Sequence, residues 1–164
     1  MMGAGKSSVG RCLRQRAGLE LFDLDEAVAN RFGLTIPEIF EKFGEEKFRE
    51  AETEVLRAFA PDKPTIVVTG GGTVLRNENV DLLKSLGFVV WLEADEGTLF
   101  ERATRRGNRP LLRTENPRAR METLLRERMP IYERAADLRV DTSTMNHDEV
   151  ANCILKGIEE RGVT

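Results

Sequence analysis

The chain has few of the residues that build metal centres and disulfide frameworks. Its 164 residues include two cysteines, Cys12 and Cys153, near opposite ends of the chain, and a single histidine. No C-x-x-C spacing is present, so the sequence excludes a zinc site built on cysteine pairs and predicts two free thiols. Because free thiols are typical of a reducing compartment, we expect a cytoplasmic protein.

Long apolar runs and an excess of positive charge are also lacking. The longest wholly apolar run, Phe88 to Leu92, is far too short to cross a bilayer. The formal net charge of −3 argues against nucleic acid as the main partner. Hydrophobic residues make up 40% and charged residues 32% of the chain, which is ordinary for a globular protein. We therefore expect one domain over residues 1–164, and a monomer because no long exposed apolar stripe is apparent.

Short apolar runs alternate with helical patterns along the chain. The β-branched run from Thr65 to Thr69 is typical of a strand that is buried on both faces. Alternating strands and helices predict an α/β fold, in which helices cover both faces of a parallel sheet. The predicted strands span residues 19–25, 65–69, 88–92 and 138–141. The predicted helices span residues 7–16, 27–32, 35–44, 45–60, 77–86, 96–104, 118–129 and 148–160.

The chain opens with Gly3-Ala4-Gly5-Lys6-Ser7-Ser8, which contains the closing part of the pattern G-x-x-x-x-G-K-[ST]. In this phosphate-binding loop, glycines curl the backbone so that N–H groups point at phosphate oxygens. The lysine reaches the outer phosphates, and the serine hydroxyl binds Mg²⁺. The first glycine of the pattern would stand one residue before Met1, and a strand normally leads into such a loop. We therefore expect an upstream segment that supplies both.

Asp23 and Asp25 stand two residues apart at the end of the predicted strand 19–25, so their side chains should point to one face. At the carboxyl end of a parallel strand they would border the ligand crevice of an open α/β sheet. One carboxylate would hold the water shell of Mg²⁺, and the other would take a proton from an acceptor hydroxyl. The alternative is a solvated turn in which an aspartate caps the following helix.

Two further features have both a structural and a functional interpretation. Arg49 and Glu52 share one helix face, and the residues alone favour an ordinary surface ion pair. Gly70, Gly71 and Gly72 follow a buried strand directly, where three glycines are costly in backbone entropy. A loop that brings backbone N–H groups close to a ligand is therefore favoured over a plain tight turn.

Positive charge is concentrated in one part of the chain. Between residues 102 and 134, ten arginines stand against four glutamates, a local net charge of +6 (10 − 4). Such a field suits a small polyanion such as nucleotide phosphates together with a substrate carboxylate. The aperiodic segment of about residues 105–119 suggests a lid that excludes water, with Arg109 placed to neutralise a transferring phosphoryl group.

These motifs together resemble those of shikimate kinases. The resemblance covers almost the whole chain and rests on six segments in order: Gly3–Ser7, Phe22–Asp25, Phe48–Glu52, Gly70–Gly72, Arg109–Leu112 and Arg128–Tyr132. It implies a three-layer P-loop fold with a central parallel sheet of about five strands, the first of which is absent from this chain. It also implies transfer of the ATP γ-phosphate to the 3-hydroxyl of shikimate, a step towards chorismate and the aromatic amino acids.

On the nucleotide side, the resemblance implies that Gly3 to Ser8 form the phosphate cradle, with Lys6 and Arg109 on the phosphates. Ser7 and Asp23 would serve the Mg²⁺ ion, and Arg102 would lie near the adenine. ATP and Mg²⁺ are the implied cofactors, and the P-loop covers residues 1–8.

On the acceptor side, the resemblance implies that Asp25 is the base for the acceptor hydroxyl. Arg49 and Arg128 would bind the shikimate carboxylate, with Glu52 orienting Arg49. Gly70, Gly71 and Gly72 would lie beside the ring hydroxyls. The substrate-binding helices would cover residues 26–60, and the lid about residues 105–119.

Two alternatives remain open. A gluconate-type sugar-acid kinase would share the P-loop and the lid, but the arrangement of Arg49, the glycine loop and Arg128 disfavours it. A related domain that binds or regulates without catalysis is disfavoured because the catalytic set is intact. That set comprises Lys6, Ser7, Asp23, Asp25 and Arg109.

Overall fold

The structure is a computed structural model that describes residues 1–105 and 110–162. Its four strands are β1 (Glu20–Asp23), β2 (Thr65–Val68), β3 (Val90–Glu93) and β4 (Leu138–Asp141), which form two parallel pairs. In the first pair Glu20 lies opposite Thr65, and in the second Val90 lies opposite Leu138. The parallel strands with helices on both faces confirm the predicted α/β class.

In the described part of the chain, seven α-helices lie before, between and after the strands. They are α1 (Lys6–Ala17), α2 (Leu24–Phe32), α3 (Ile36–Ala58), α4 (Asn77–Leu86), α5 (Glu96–Arg105), α6 (Pro117–Ala135) and α7 (His147–Glu159). Two short 3₁₀ helices, Thr73–Leu75 and Pro110–Leu112, follow β2 and precede α6. The predicted order of helices and strands is confirmed, with element ends that differ by a few residues.

Helix α3 replaces two predicted helices, 35–44 and 45–60. It begins after Thr35, whose N–H and hydroxyl both donate to the Glu38 carboxylate, at 2.8 and 2.7 Å. Thr35 and Glu38 thus form a capping box at the start of the helix. The predicted break falls at Gly44, where φ is +81°, so the helix is kinked there and continues.

Helix α6 was predicted to end before Pro130, but it runs on to Ala135. Proline removes one backbone hydrogen bond of the helix. The residues on either side of it, Arg128 and Tyr132, are both buried, so tertiary packing holds the helical path across the proline. This extension places Arg128 and Tyr132 one turn apart on the face that meets the glycine loop.

The core holds the helices against the strands. Leu24 and Val28 of α2, Ile39 of α3, Leu99 of α5 and Met121 of α6 are completely buried. Each such side chain contributes about 1.5–3 kcal/mol of burial free energy. Because α2 packs on α3, the residues at the start of α2 and along α3 have fixed relative positions. None of the helices in the described ranges is long and apolar enough to span a membrane.

Candidate active site

The loop ahead of α1 has the curled backbone that its glycines predict. Gly3 and Gly5 have φ angles of +78° and +86°, in the left-handed region. A Cβ atom on Gly3 would lie 2.3 Å from the carbonyl oxygen of Leu99, so a side chain cannot be accommodated there. Gly5 caps α1 without a side-chain hydrogen bond to the first turn. The first-turn N–H groups therefore have the arrangement that binds phosphate oxygens.

A cavity of about 440 Å³ opens in front of this loop. Its wall contains Gly3, Gly5, Lys6 and Ser7 from the loop, and Asp23, Asp25 and Arg102 from other elements. Basic and acidic side chains thus meet at a helix N-terminus. We call this space the P-loop cavity.

The two aspartates do not share a strand face as predicted. Strand β1 ends at Asp23, and Asp25 lies in the first turn of α2. The physical reason is capping: the Asp23 carboxylate accepts hydrogen bonds from the N–H groups of Asp25 and Glu26, at 3.0 and 3.3 Å. The helix therefore starts earlier than the strand pattern suggested, and both carboxylates still line the P-loop cavity.

Asp25 has an unusual environment. Burial and the charge of Glu52 raise the pKa of the Asp25 carboxyl to about 6, and the positive charge of Lys6 opposes this shift. Its Oδ1 atom is buried and has no hydrogen-bond partner within residues 1–105 and 110–162. A carboxylate that is partly desolvated, with one unpaired oxygen, is suited to accept a proton from a ligand.

A second, smaller cavity of about 90 Å³ adjoins the first and shares Asp25, Gly70 and Gly71 with it. Two buried arginines, Arg49 and Arg128, contribute to its wall, together with Gly72. The remaining wall is largely apolar and comes from Ile36, Phe40, Phe48, Pro110 and Leu111. We call this space the acceptor cavity, and Asp25 lies at its junction with the P-loop cavity.

Arg49 and Glu52 form a buried network and not the surface ion pair that the residues alone favoured. Glu52 is fully buried, and its two carboxylate oxygens accept from Arg49 Nη1 and from the Thr73 hydroxyl, each at 2.5 Å. Glu45 accepts from Arg49 Nη2 at 2.9 Å. The guanidinium is thus held in one orientation by two carboxylates.

The glycine loop is shaped by close contacts with these side chains. A Cβ atom on Gly70 would lie 2.8 Å from Asp25 Oδ1 and 3.0 Å from Glu52 Oε1. A Cβ atom on Gly72 would lie 2.3 Å from Arg49 Nη2. Both glycines are therefore required by the protein's own charged groups, a reason that the ligand-based prediction did not include.

Arg128 and Tyr132 fix the other side of the glycine loop. Arg128 Nη1 and the Tyr132 hydroxyl both donate to the carbonyl oxygen of Gly71, at 3.4 and 2.5 Å. The loop is thereby held between α3 and α6, with Arg49 on one side and Arg128 on the other.

Several predicted site residues contribute less directly. Ala4 and Ser8 are buried beside the loop and do not appear in the wall of the P-loop cavity. Arg102 donates to the Thr142 hydroxyl and carbonyl oxygen at 3.1 and 2.9 Å, so its position is fixed by the segment after β4. Arg109 lies outside the described residues.

Sequence reasoning missed two ionisable residues of the P-loop cavity, His147 and Arg105. His147 is the first residue of α7, and its Nε2 would be 3.6 Å from a Cβ atom on Gly5. One signal was available, because His147 follows the last strand, and ligands of such sheets bind beyond the carboxyl ends of the strands. Arg105 gave no signal that separates it from its neighbouring arginines.

Magnesium is compatible with the side chains at the P-loop cavity. Within the described residues no group of three or more histidine, cysteine, aspartate or glutamate side chains could hold a metal ion by itself. Mg²⁺ commonly binds through one or two protein oxygens, with water and substrate phosphates completing its octahedron. The Ser7 hydroxyl and the Asp23 carboxylate provide such oxygens.

Comparisons with known proteins agree with this geometry. A family model described as shikimate kinase matches residues 2–159. The shikimate kinase of Thermodesulfovibrio yellowstonii is 44% identical over 158 residues, which cover 96% of this chain and 91% of the relative. The solved shikimate kinase of Acinetobacter baumannii in complex with shikimate superposes with a TM-score of 0.93 at 38% identity, covering 99% of this chain and 91% of that one. The enzyme of Aquifex aeolicus gives a TM-score of 0.82 at 34% identity, covering 99% and 94%. This chain therefore belongs to the shikimate kinase family.

Proposed function

We propose that this protein transfers the γ-phosphate of ATP to the 3-hydroxyl of shikimate, giving shikimate 3-phosphate and ADP. The observation that carries the proposal is the position of Asp25, which lies in the walls of both the P-loop cavity and the acceptor cavity. A phosphate donor and a hydroxyl acceptor bound in the two spaces would meet at this carboxylate. The reaction belongs to the biosynthesis of chorismate and the aromatic amino acids.

The P-loop cavity is the proposed ATP site. The curled backbone at Gly3 and Gly5 and the N-terminus of α1 would bind phosphate oxygens. Lys6 Nζ donates to the Met1 carbonyl at 2.7 Å and also lines the cavity, so its charge would be available to phosphates bound there. Arg102, anchored on Thr142, would lie beside the adenine. Mg²⁺, held through Ser7 and Asp23, would neutralise charge on the phosphates.

The acceptor cavity is the proposed shikimate site. Arg49 and Arg128 would bind the carboxylate, because a guanidinium matches a carboxylate with two parallel hydrogen bonds. The Gly70–Gly72 backbone would contact the ring hydroxyls, and the apolar wall that includes Phe48 would pack on the ring carbons. Pro110 and Leu111 complete that wall from the proposed lid of about residues 105–119. Closure of this lid would exclude water from the phosphoryl group.

Asp25 is the proposed base. Its pKa of about 6 leaves it ionised near neutral pH and still basic enough to take a proton. As the acceptor oxygen forms its bond to the γ-phosphorus, the bond to the ADP oxygen breaks, and the hydroxyl proton passes to Asp25. Lys6 and the lid arginine Arg109 would stabilise the charge on the transferring group.

We further propose that the protein works as a cytoplasmic monomer that binds a small molecule. Both cysteines are free thiols, which fits a reducing compartment. Among the described residues the exposed large hydrophobic side chains are Phe43, Leu75 and Leu86, which come from three separate segments of the chain. Sedimentation velocity at several protein concentrations would test the monomer.

The activity is tested by ADP release in a coupled assay with ATP and Mg²⁺. Shikimate, gluconate and no acceptor are compared in parallel. We expect ADP release that depends on shikimate and is abolished by EDTA. Release with gluconate alone would identify a sugar-acid kinase, and a folded protein that is inactive with every acceptor would identify a non-catalytic relative.

A further inference from the structure

Thr73 is a completely buried polar residue that lies outside the walls of both cavities. It begins the 3₁₀ helix that follows the glycine loop, and its hydroxyl donates to Glu52 Oε1 at 2.5 Å. Its backbone is fixed on both sides. The N–H group donates to the Gly70 carbonyl at 3.4 Å, and the carbonyl accepts from Asn79 Nδ2 at 2.8 Å. The hydroxyl is therefore held at one place, and it binds one oxygen of Glu52 there.

The Arg49 guanidinium uses three of its N–H groups within the protein. Its Nε and Nη2 atoms donate to Glu45 Oε1 at 3.3 and 2.9 Å, and Nη1 donates to Glu52 Oε2 at 2.5 Å. An arginine side chain has five N–H groups. Within residues 1–105 and 110–162, one N–H group on Nη1 and one on Nη2 therefore have no acceptor. Because Arg49 contributes to the wall of the acceptor cavity, these two donors are placed to bind a ligand carboxylate.

Glu52 is the protein's own competitor for these two donors. A carboxylate that faces a guanidinium favours two parallel hydrogen bonds to it. The Thr73 hydroxyl opposes this arrangement, because it binds Oε1 while Oε2 contacts Arg49. Without the hydroxyl, Oε1 would be a buried, charged oxygen that lacks a donor, which is costly. The Glu52 carboxylate would then turn towards Arg49 and take a donor that a ligand carboxylate needs.

We propose that Thr73 is a positioning residue for the acid group of the acceptor. Its hydroxyl limits Glu52 to a single contact with Arg49 and so keeps two guanidinium N–H groups for the carboxylate of shikimate. Thr73 lines neither cavity, so it acts through Glu52 and Arg49 and not by direct contact with the ligand. Its contribution should therefore be found in the affinity for the acid and not in the phosphoryl-transfer step.

The inference rests on the proposed function and is tested first by the coupled ADP assay. Thr73→Val removes the hydroxyl and keeps the shape of the side chain. It should raise the KM for shikimate by about 10–100-fold, since one hydrogen bond to a charged group is lost, and change kcat and the KM for ATP little. The assay is run well above pH 6, so that Asp25, with a pKa of about 6, is ionised throughout. Thr73→Ser keeps the hydroxyl and should restore the wild-type KM.

Two controls separate this role from a general loosening of the site. Thr53→Val also removes a buried hydroxyl, but this one donates to the backbone carbonyl of Arg49 at 3.0 Å and not to Glu52. It should leave the KM for shikimate unchanged. The methyl ester of shikimate has no carboxylate to compete with Glu52. Its KM should be high with the wild-type protein and should not rise further in Thr73→Val. If Thr73→Val does not fold, Thr73→Cys takes its place, and its weak S–H donor should give an intermediate rise for shikimate.

The inference is overturned if Thr73→Val keeps the wild-type KM, if Thr73→Ser does not restore it, or if the ester is affected as strongly as the acid. Calorimetric titration with shikimate distinguishes this failure from a failure of the proposed function. A wild-type protein that binds shikimate but releases no ADP would refute the kinase activity, and the Kd values of the Thr73 variants would still decide the role of the hydroxyl. A wild-type protein that does not bind shikimate would overturn both.

Discussion

Asp25→Asn is expected to stabilise the protein while removing most of its activity. The pKa of Asp25 is about 6 in the folded protein, against an ordinary value of 3.8. Each unit of difference corresponds to 1.36 kcal/mol, so ionised Asp25 costs the folded state about 3 kcal/mol at neutral pH. Asparagine has nearly the same shape and does not ionise, so the variant avoids this cost.

The sign of the effect follows from the direction of the shift. Because the folded pKa is raised, the wild-type protein has its full stability from this group at low pH and loses it as the pH rises through about 6. The free energy of unfolding of the variant, relative to wild type, should therefore increase by about 2 kcal/mol between about pH 4.5 and pH 7.5. Any cost of burying the amide is independent of pH and cancels in this difference.

Urea unfolding at the two pH values measures this change, and the coupled ADP assay measures turnover of the same samples. Loss of a general base should lower kcat by about 10²–10⁴-fold. Asp62→Asn, in an exposed turn, is the matched control and should show neither effect. Unchanged turnover would refute the role of Asp25 as base, and a stability difference that does not vary with pH would refute its raised pKa.

Three further substitutions test the acceptor side. Arg49→Lys should raise the KM for shikimate by about 10–100-fold and the KM for ATP little, since a lysine cannot make the paired contacts of a guanidinium. The control is Arg57→Lys, at an exposed position. Equal changes in both KM values of the Arg49 variant would contradict the assignment. Glu52→Gln should shift the acid limb of the pH profile of kcat/KM to below about pH 6, because it removes a charge that raises the pKa of Asp25. An acid limb that stays at the wild-type pH would count against that coupling. Gly72→Ala should weaken shikimate binding by calorimetry, because its Cβ would lie 2.3 Å from Arg49 Nη2, whereas Gly97→Ala should not.

The order of helices and strands could be predicted because apolar periodicity records which face of each element is buried. The boundary at Asp23 could not. The alternating residues 19–25 fit a strand, and Asp23 followed by two free N–H groups equally fits a helix cap. The helix forms, because the Asp23 carboxylate accepts hydrogen bonds from two backbone N–H groups that would otherwise lack partners at the start of α2.

The positions of Lys6 and Ser7 in the wall of the P-loop cavity could be predicted, because one short motif specifies both residues. The burial of Glu52 could not be predicted, because its helix is rich in charge and its pattern does not show which charged residue faces the core. The contribution of His147 depends on α7 returning to the start of α1, a contact over more than a hundred residues of sequence. Local patterns contain no record of such long-range contacts.

Glu52 links the two halves of the proposed site. It accepts from Arg49, the proposed ligand of the acceptor carboxylate, and its charge is the second cause of the raised pKa of Asp25. When a substrate carboxylate shares the Arg49 guanidinium, Glu52 is less fully neutralised, and its effect on Asp25 should increase. Asp25 would then become more basic at the moment when the acceptor hydroxyl arrives. In the proposed mechanism, the buried Glu52 carboxylate would therefore couple recognition of the acid to activation of the hydroxyl.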